Sequence, residues 1–348
     1  MDQDTKVPGW DAIDAALRKL YGDVQPLHWT PSLHAEIGGD DFLQGVSAYR
    51  STFGGRAHWH FVTYGFSELY DKETEDPNVS GFGFEMTVRV LDPDFDDKPP
   101  TWVMSMLQNL ARYVFRTGNV FEPGHYTTLN GPIALGRKTE LVAAAFVADP
   151  QLPEMNTVNG KVKFVQLVGL TQNEYDAIRD WDSEKFLLAA AKRDAAMLTV
   201  LDRASWLADK DFKRIAEEGA ARDGSSMGAV FTTKGGFERE LTGAVLGVAA
   251  NTIEDIRRVV RRRLEFGRET RLAGPEGVVM LAAAKQTELS TSAEGEARIA
   301  FSPEDRKAIL AIPVKRGDYP LPSGKLIIRV IPIEILDGER KNVIEVIG

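Results

Sequence analysis

GFGFEMTVRVL, at residues 81–91, is the stretch that decides the fold class. Every second residue from Phe82 to Val90 is apolar, and the residues between them are glycine, charged or polar. A period of two is typical of a β-strand that buries one face. The glycines do not match a dinucleotide-binding turn, which needs a third glycine at the start of a helix. They indicate instead that another backbone or an aromatic ring packs closely against a strand with one buried face.

The segments on either side of this strand alternate between helical and strand patterns. Residues 8–22 and 101–118 carry apolar residues at helical spacing and end at a glycine, so both are predicted to be helices. Further strands are predicted within residues 57–70, 140–150 and 161–171, and further helices at residues 172–192 and 205–218. The first part of the chain therefore combines helices and strands.

The length of 348 residues suits two domains. The polar stretch at residues 217–228 lies between them, so we expect a first domain at residues 1–220 and a smaller C-terminal α/β lobe at residues 221–348. Within the second domain, Ser302 followed by Pro303 predicts the start of a helix. Residues 286–297 are polar and poor in strand-forming residues, which predicts a mobile loop.

Composition excludes several classes of protein. The chain has no cysteine, so disulfides, thiolate metal sites and cysteine nucleophiles are excluded. Its acidic N-terminus lacks the apolar core of a secretion signal, and no apolar run approaches the ~20 residues that cross a bilayer. A net charge of −9 argues against a general affinity for nucleic acid. We therefore expect a cytoplasmic protein with no membrane and no nucleic-acid partner.

One stretch of this acidic chain is basic. It is predicted to form an amphipathic helix whose arginines share one face, and those arginines are Arg257, Arg258, Arg261, Arg262 and Arg263. Our interpretation is a helix face that pairs with nearby acidic residues. A docking surface for an acidic partner and a nucleic-acid patch are the alternatives.

Two histidines raise the question of a metal or catalytic site. On a strand, His58 and His60 point to the same face, which is a spacing that a metal can use. A metal needs a third and usually a fourth ligand, and no further residue stands at a recognised spacing. The chain also lacks a G-x-S-x-G nucleophile motif. We therefore predict no catalytic residue, metal or cofactor, and keep as the alternative a metal-dependent or acid/base enzyme that uses His58, His60 and His125.

Six phrases of the first domain, taken together and in order, resemble the suppressor of fused family. They are VSAYRS (46–51), HWHFVTYGFSELY (58–70), SGFGFEMTVRV (80–90), PPTWVMSMLQNLARYVFRTGN (99–119), ADPQL (148–152) and VKFVQLVGLTQNEYDAIRDW (162–181). The resemblance covers about residues 8–200. It implies an α+β fold with two α/β lobes, each a mixed sheet flanked by helices.

The resemblance also implies a binding function. The animal member of the family restrains the transcription factors of Hedgehog signalling, and its lobes close around an extended peptide that adds as a strand. The peptide-facing segment matches residues 111–125, and Tyr113 stands at a matching position, whereas His125 replaces an acidic residue of the animal protein. The candidate partner-binding residues on and beside this segment are Tyr113, Arg116, Phe121, His125 and Tyr126.

The leading hypothesis is a non-enzymatic protein-binding module that holds a peptide or protein partner in a cleft between the two lobes. A compact chain without cysteine resembles the bacterial branch of the family, whose members are regarded as immunity proteins that neutralise toxins. An acidic surface suits that task, because electrostatic complementarity speeds the capture of basic toxins. A scaffold that works only as an oligomer remains a third option, and the sequence predicts no oligomeric state.

Overall fold

The computed structural model describes residues 7–31, 33–35, 38–91, 98–291, 296–336 and 342–348. The chain divides into two compact units. The first consists of Met1–Ile178 and Ser183–Ile215, and the second of Arg179–Asp182 and Ala216–Gly348.

The predicted helices are present, and the one expected at residues 205–218 lies five residues further along the chain. They are α1 (Pro8–Tyr21), α2 (Trp102–Thr117), α3 (Gln172–Asp180), α4 (Ser183–Ala191), α5 (Lys210–Asp223), α6 (Ile253–Arg262) and α7 (Pro303–Ile309). Gly118 ends α2 in the left-handed region, at φ 73°, and its N–H donates to the carbonyl of Val114. Such a conformation costs glycine little because it has no Cβ. Ser302 caps α7, because its hydroxyl accepts from the N–H of Asp305.

A mixed sheet dominates the first unit. Its strands are β1 (Leu27–Trp29), β2 (Gly45–Ser51), β3 (His58–Tyr64), β4 (Val79–Leu91), β5 (Tyr126–Thr128), β6 (Leu141–Ala148), β7 (Met155–Thr157), β8 (Gly160–Thr171) and β9 (Thr199–Val200). The order is β1-β2-β3-β4-β8-β6-β5, with β7 beside β8 and β9 beside β4. β4 is parallel to β8 and β9, and the other neighbours are antiparallel. This confirms the α+β class with mixed sheets.

Strand β4 departs from its prediction, because both of its faces are buried. Val88 and Val90 join the core that contains the apolar face of α2. On the opposite face, Glu85, Thr87 and Arg89 are fully buried as well. The sequence pattern could not show this, because the partners that allow charged groups to be buried come from other segments of the chain.

The glycines of β4 act as predicted from their position in a strand. Gly81 has φ 56°, and a Cβ there would lie 2.7 Å from the carbonyl oxygen of Phe66. A Cβ at Gly83 would lie 2.8 Å from a methyl group of Val79. Close packing of backbone and side chain therefore requires glycine at Gly81 and Gly83.

The second unit contains three smaller sheets. Its strands are β10 (Ala229–Phe231), β11 (Phe237–Arg239), β12 (Ala244–Ala249), β13 (Thr270–Gly274), β14 (Gly277–Ala283), β15 (Glu288–Thr291), β16 (Ala297–Phe301), β17 (Gly317–Pro320), β18 (Leu326–Ile331), β19 (Ile333–Leu336) and β20 (Val343–Ile347). The sheet orders are β10-β13-β14-β16-β15, β11-β12-β18-β17 and β19-β20. The prediction of a loop at 286–297 is wrong for β15, because pairing with β16 imposes an extended backbone on a polar segment.

Most arginines of α6 form ion pairs or hydrogen bonds with groups of the second unit. Arg258 donates to Asp180 over 2.7 Å, and Arg262 lies 3.7 Å from the same carboxylate. Arg263, which directly follows α6, donates to the hydroxyl of Thr270 and to the carbonyl of Ser225. The interpretation of a helix face that pairs with nearby acidic residues describes this arrangement better than a nucleic-acid patch.

Candidate functional site

A groove lies in the first unit between α2 and β5. Its volume is about 670 Å³, within the range of roughly 300–1,000 Å³ that is typical of ligand sites. None of its described lining residues is charged. They are Thr101, Trp102, Ser105, Met106, Asn109, Leu110, Tyr113, Phe121, Thr127, Thr128, Leu129, Asn130, Gly131, Pro132, Ile133 and Leu135. We refer to this set as the uncharged groove, and its lining suits apolar and neutral polar groups.

One wall of the uncharged groove is a stripe of α2. Trp102, Met106, Asn109 and Tyr113 recur at intervals of three or four residues, which places them on one helix face. The indole N–H of Trp102 is shielded from solvent and has no acceptor among the described residues. Leaving this buried donor without an acceptor costs free energy.

An aromatic pair lies at one end of the same groove. Phe121 is buried and stacks on Phe146, with ring centroids 4.1 Å apart. The ring of Tyr113 lies 5.7 Å from Phe121 and is 45% exposed, and its hydroxyl accepts from the amide of Asn119. A ring that is both exposed and fixed in position can contact a partner with little further loss of entropy.

Strand β5 forms an edge of the sheet beside this groove. It pairs with β6 and is the last strand in the sheet order. The ladder bonds run from Phe146 N–H to the carbonyl of His125 and from Leu129 N–H to the carbonyl of Val142. Because antiparallel strands alternate in their bonding, the main-chain groups of Tyr126 and Thr128 face away from β6. The N–H of Thr128 therefore points toward the open edge of the sheet.

The predicted partner-binding residues fall into two groups. Tyr113 and Phe121 line the uncharged groove. Tyr126 is the first residue of β5, and its ring lies edge-on to that of Tyr175. Arg116 is exposed on α2 but does not line the groove. His125 is exposed, and its Nδ1 accepts from the N–H of Glu122. The role of these five residues in binding stays a prediction.

Several groove residues were not singled out from the sequence. Trp102 and Leu110 lie on the same helical stripe as Tyr113, so the spacing of α2 contained a signal for them. Leu135 is 77% exposed at the groove, and Thr128 lies on the edge strand. Neither of these two has a local signature, because their position depends on how the loop after β5 returns to the sheet.

The three histidines of the alternative hypothesis have different surroundings. Both ring nitrogens of His60 are engaged, since Nδ1 lies 2.6 Å from the hydroxyl of Tyr21 and Nε2 lies 3.1 Å from Asp149. His58 is buried, and its Nδ1 lies 2.8 Å from the carbonyl of Arg56. The described residues contain no group of three histidine or acidic side chains placed to hold a metal. The two contacts of His60 favour a structural role for this residue.

A buried charge network surrounds His60. Arg89 and Asp149 form an ion pair of 2.5 Å with both side chains fully buried. Arg89 also binds Gln166, and Thr87 donates to Asp149 over 2.7 Å. Burial raises the pKa of Asp149, but the His60 and Arg89 contacts outweigh it and hold this pKa well below the usual range. Burial beside Arg89 lowers the pKa of His60 to about 4. The network thus contains an ionised Asp149 and a neutral His60.

Glu85 is a second buried carboxylate on the same face of β4. It accepts from the hydroxyls of Thr63 and Ser67 and from the N–H groups of Gly65 and Ser67. Burial raises the pKa of Glu85 to about 7, although these hydrogen bonds oppose the shift. Because this pKa exceeds its unfolded value, the contribution of Glu85 to stability is fully present below about pH 4.5 and is lost as pH rises through 7.

Replacing Glu85 by glutamine is therefore expected to remove this pH dependence. The difference in the free energy of unfolding between wild type and Glu85→Gln is expected to change by about 2–3 kcal/mol from pH 5 to pH 8. Urea unfolding at both pH values measures this change. The stability contribution of the neutral His60 rises with pH instead, and it cancels in the comparison because wild type and variant share it. Glu68→Gln is the control: the pKa of Glu68 is lowered to about 2, so its cost should be similar at both pH values. A constant cost for Glu85→Gln would contradict the expectation.

The comparisons with known proteins agree on one family. Residues 39–204 match the model of the suppressor of fused protein (SUFU) family. The suppressor of fused homologs of human and mouse are each 30% identical to this chain over 238 residues, which cover 64% of this chain and 49% of each homolog. Part of this chain is therefore similar to suppressor of fused proteins. The uncharged groove lies entirely within the suppressor of fused match, whereas the chain spans about half the length of the two homologs.

Solved structures extend the similarity. The crystal structure of Drosophila Suppressor of Fused has a TM-score of 0.77 and 19% identity, and covers 95% of this chain and 99% of that one. It shows that the fold is shared. The Sufu-Fu complex crystal structure has a TM-score of 0.55 and 27% identity over 60% of this chain and 96% of that chain.

None of the described helices is long and apolar enough to cross a membrane.

Proposed function

We propose that this chain is a non-enzymatic protein-binding module that captures an extended segment of a protein partner. The observation that carries the proposal is the uncharged groove, which lies directly beside the edge strand β5. An extended peptide can pair with an exposed sheet edge through main-chain hydrogen bonds, while its side chains enter adjacent pockets. The edge strand would supply affinity and the groove selectivity.

The lining of the groove restricts the partner's side chain. Burying a charged group in a groove without a counter-charge is costly, so the anchoring residue is expected to be large and apolar. Tyr113 and Phe121 supply aromatic surface for such an anchor. Aromatic residues of this kind commonly dominate the energy of binding.

The relatives supply a precedent for the class of function. The Sufu-Fu crystal structure is a complex of Sufu with Fu. No comparable support exists for an enzyme based on His58, His60 and His125. The earlier expectation that the partner lies in a cleft between two lobes stays a prediction.

A finer proposal is that the partner is a toxin and the chain a cytoplasmic immunity protein of a bacterium. The net charge of −9 supports it, because an acidic surface accelerates the capture of a basic toxin. A toxin gene beside the gene for this chain is the expected observation. Absence of such a neighbour from all sampled strains would count against the toxin but not against the binding module.

Replacing Tyr113 by alanine is expected to weaken binding to the groove. The probe is a peptide selected from a phage-displayed library of random twelve-residue peptides, and selected sequences are expected to share a large apolar residue. Loss of the exposed ring should raise the Kd of the best peptide by about thirtyfold. Fluorescence anisotropy with the labelled peptide measures this change.

The matched control for that experiment is Phe231→Ala. Phe231 is an aromatic residue that is 75% exposed, and it lies in the second unit, outside both grooves of the first unit. The control should leave the Kd of the selected peptide within twofold of wild type. Equal losses in both variants, or selected peptides without a common apolar residue, would count against the groove as the binding site.

A further inference from the structure

A second groove of the first unit has the opposite electrostatic character. Its walls include Phe82, Phe115, Tyr70, Asp71 and Glu73, and we refer to it as the acidic groove. It shares no lining residue with the uncharged groove. Its volume is about 200 Å³, below the ~300–1,000 Å³ that is typical of sites for drug-sized ligands. The acidic groove therefore has room for one long side chain.

The acidic wall comes from the loop at residues 68–76, ELYDKETED, which holds five carboxylates and one lysine. Lys72 does not neutralise the wall, because its ammonium group is used within the loop. It donates to Glu68 over 2.9 Å, to Thr74 over 2.5 Å and to the carbonyl of Val79 over 2.6 Å. Asp71 and Glu73 are exposed, and neither has an ion pair with a described residue. Their negative charge is therefore available to a partner.

The loop is held in one conformation by Glu68. One carboxylate oxygen of Glu68 accepts from the N–H groups of Glu73 and Thr74, at 2.8 and 2.6 Å. Burial raises the pKa of Glu68, but the bonds from Thr74, Lys72 and Glu73 prevail and lower it to about 2, so this carboxylate is ionised at neutral pH. The side-chain amide of Asn159 donates to the carbonyls of Glu68 and Tyr70. A loop that is already ordered loses little entropy on binding.

The opposite wall is aromatic and partly exposed. Phe115 is 36% exposed and packs 5.2 Å from Phe42 and 4.9 Å from Phe82, measured between ring centroids. Tyr70 is 40% exposed on the acidic loop itself. Aromatic faces attract organic cations, and arginine more often than lysine. The same groove thus combines the two kinds of group that bind a guanidinium or an ammonium.

We propose that the acidic groove binds a basic segment of a protein partner and places an arginine or lysine side chain between Phe115 and the carboxylates of Asp71 and Glu73. An acidic segment would be repelled, and a purely apolar one would desolvate the carboxylates without compensation. A metal ion fits less well, because the described residues contain no group of three ligands placed to hold one. The site does not depend on the uncharged groove and adds a second recognition element to it.

The test uses a fluorescein-labelled synthetic peptide of eleven residues in which arginine and leucine alternate. A peptide of the same length with glutamate in place of arginine is the negative probe. Fluorescence anisotropy at low salt is expected to show binding of the arginine peptide only. The double variant Asp71→Asn with Glu73→Gln should weaken that binding at least tenfold, and Phe115→Leu should weaken it severalfold.

Two controls separate this site from general charge attraction and from the uncharged groove. Glu238→Gln with Glu240→Gln removes two exposed carboxylates at the same spacing in the second unit, and should leave the Kd within twofold of wild type. Tyr113→Ala should also leave it unchanged. Equal losses in the two double variants, or no loss in Asp71→Asn with Glu73→Gln, would overturn the proposal. Loss of binding in Tyr113→Ala would assign the peptide to the other groove.

Discussion

Asp149→Ala is expected to lower the free energy of unfolding by about 3–5 kcal/mol, because it leaves a buried cation without its partner. The guanidinium of Arg89 is fully buried, and Asp149 contacts it at 2.5 and 3.1 Å. The same carboxylate accepts from the N–H groups of Gln151 and Leu152, which would also lose their acceptor. Since domains are stable by only roughly 5–15 kcal/mol, this loss would leave the first unit close to unfolding. Urea unfolding followed by circular dichroism measures it.

An exposed ion pair of similar geometry provides the control. Asp318 binds Arg329 through two bonds of 2.8 and 2.9 Å, with both side chains more than two-fifths exposed. Because water replaces such a partner, Asp318→Ala should be close to wild type in stability. The double replacement Arg89→Met with Asp149→Leu removes both buried charges and should cost less than Asp149→Ala. If Asp149→Ala and Asp318→Ala had equal effects, burial would not be the cause.

Thr128→Pro is expected to weaken binding of the selected peptide by roughly a hundredfold while leaving the fold intact. Proline removes the N–H that faces away from β6, and its ring occupies the position where a partner strand would approach. One main-chain hydrogen bond, worth about 1 kcal/mol, would be lost, and the steric clash of the ring with the partner strand accounts for the rest of the expected change. The ladder bonds between β5 and β6 lie at His125 and Leu129 and are retained.

Thr128→Ala is the matched variant for this prediction. It removes the same side chain but keeps the N–H, so its Kd for the peptide should stay within threefold of wild type. Both variants should unfold at a similar urea concentration, which separates a binding defect from a folding defect. Binding by Thr128→Pro at the wild-type affinity would show that the partner does not pair with β5, even if the uncharged groove holds its side chain.

The two pairs of predictions concern different properties of one unit. The buried pair of Arg89 and Asp149 determines stability, whereas the edge at Thr128 determines binding. Neither residue lines the acidic groove. Variants at Asp149, at Thr128 and in the acidic groove should therefore change the free energies of unfolding and of binding additively, because independent and distant sites couple weakly.

Local sequence was sufficient for the elements that depend on periodicity and end signals. The helical spacing and Gly118 predicted α2, and Ser302 with Pro303 predicted the start of α7. Period-two alternation predicted β4, and the glycines within it indicated close packing. These features follow from local steric and hydrogen-bonding rules, which act within a few residues.

Features that depend on distant partners were missed. β15 has a polar sequence and is a strand because β16 pairs with it. The burial of Arg89 requires Asp149, which lies 60 residues away in sequence. The uncharged groove combines a helix with a loop that follows β5, and only Tyr113 and Phe121 of its lining were anticipated. No local pattern records which segments meet in the folded chain.

The sequence by itself determined the α+β class, most helix positions and, through six matching phrases, the similarity to suppressor of fused proteins. Those properties depend on residue type and residue spacing, which are the same in the unfolded chain. Only the tertiary structure decided that both faces of β4 are buried, that His60 is engaged on both nitrogens, and that an edge strand lies beside an uncharged groove. The physical reason is that desolvation, pairing and shape depend on what surrounds a side chain, and those surroundings come from the whole chain.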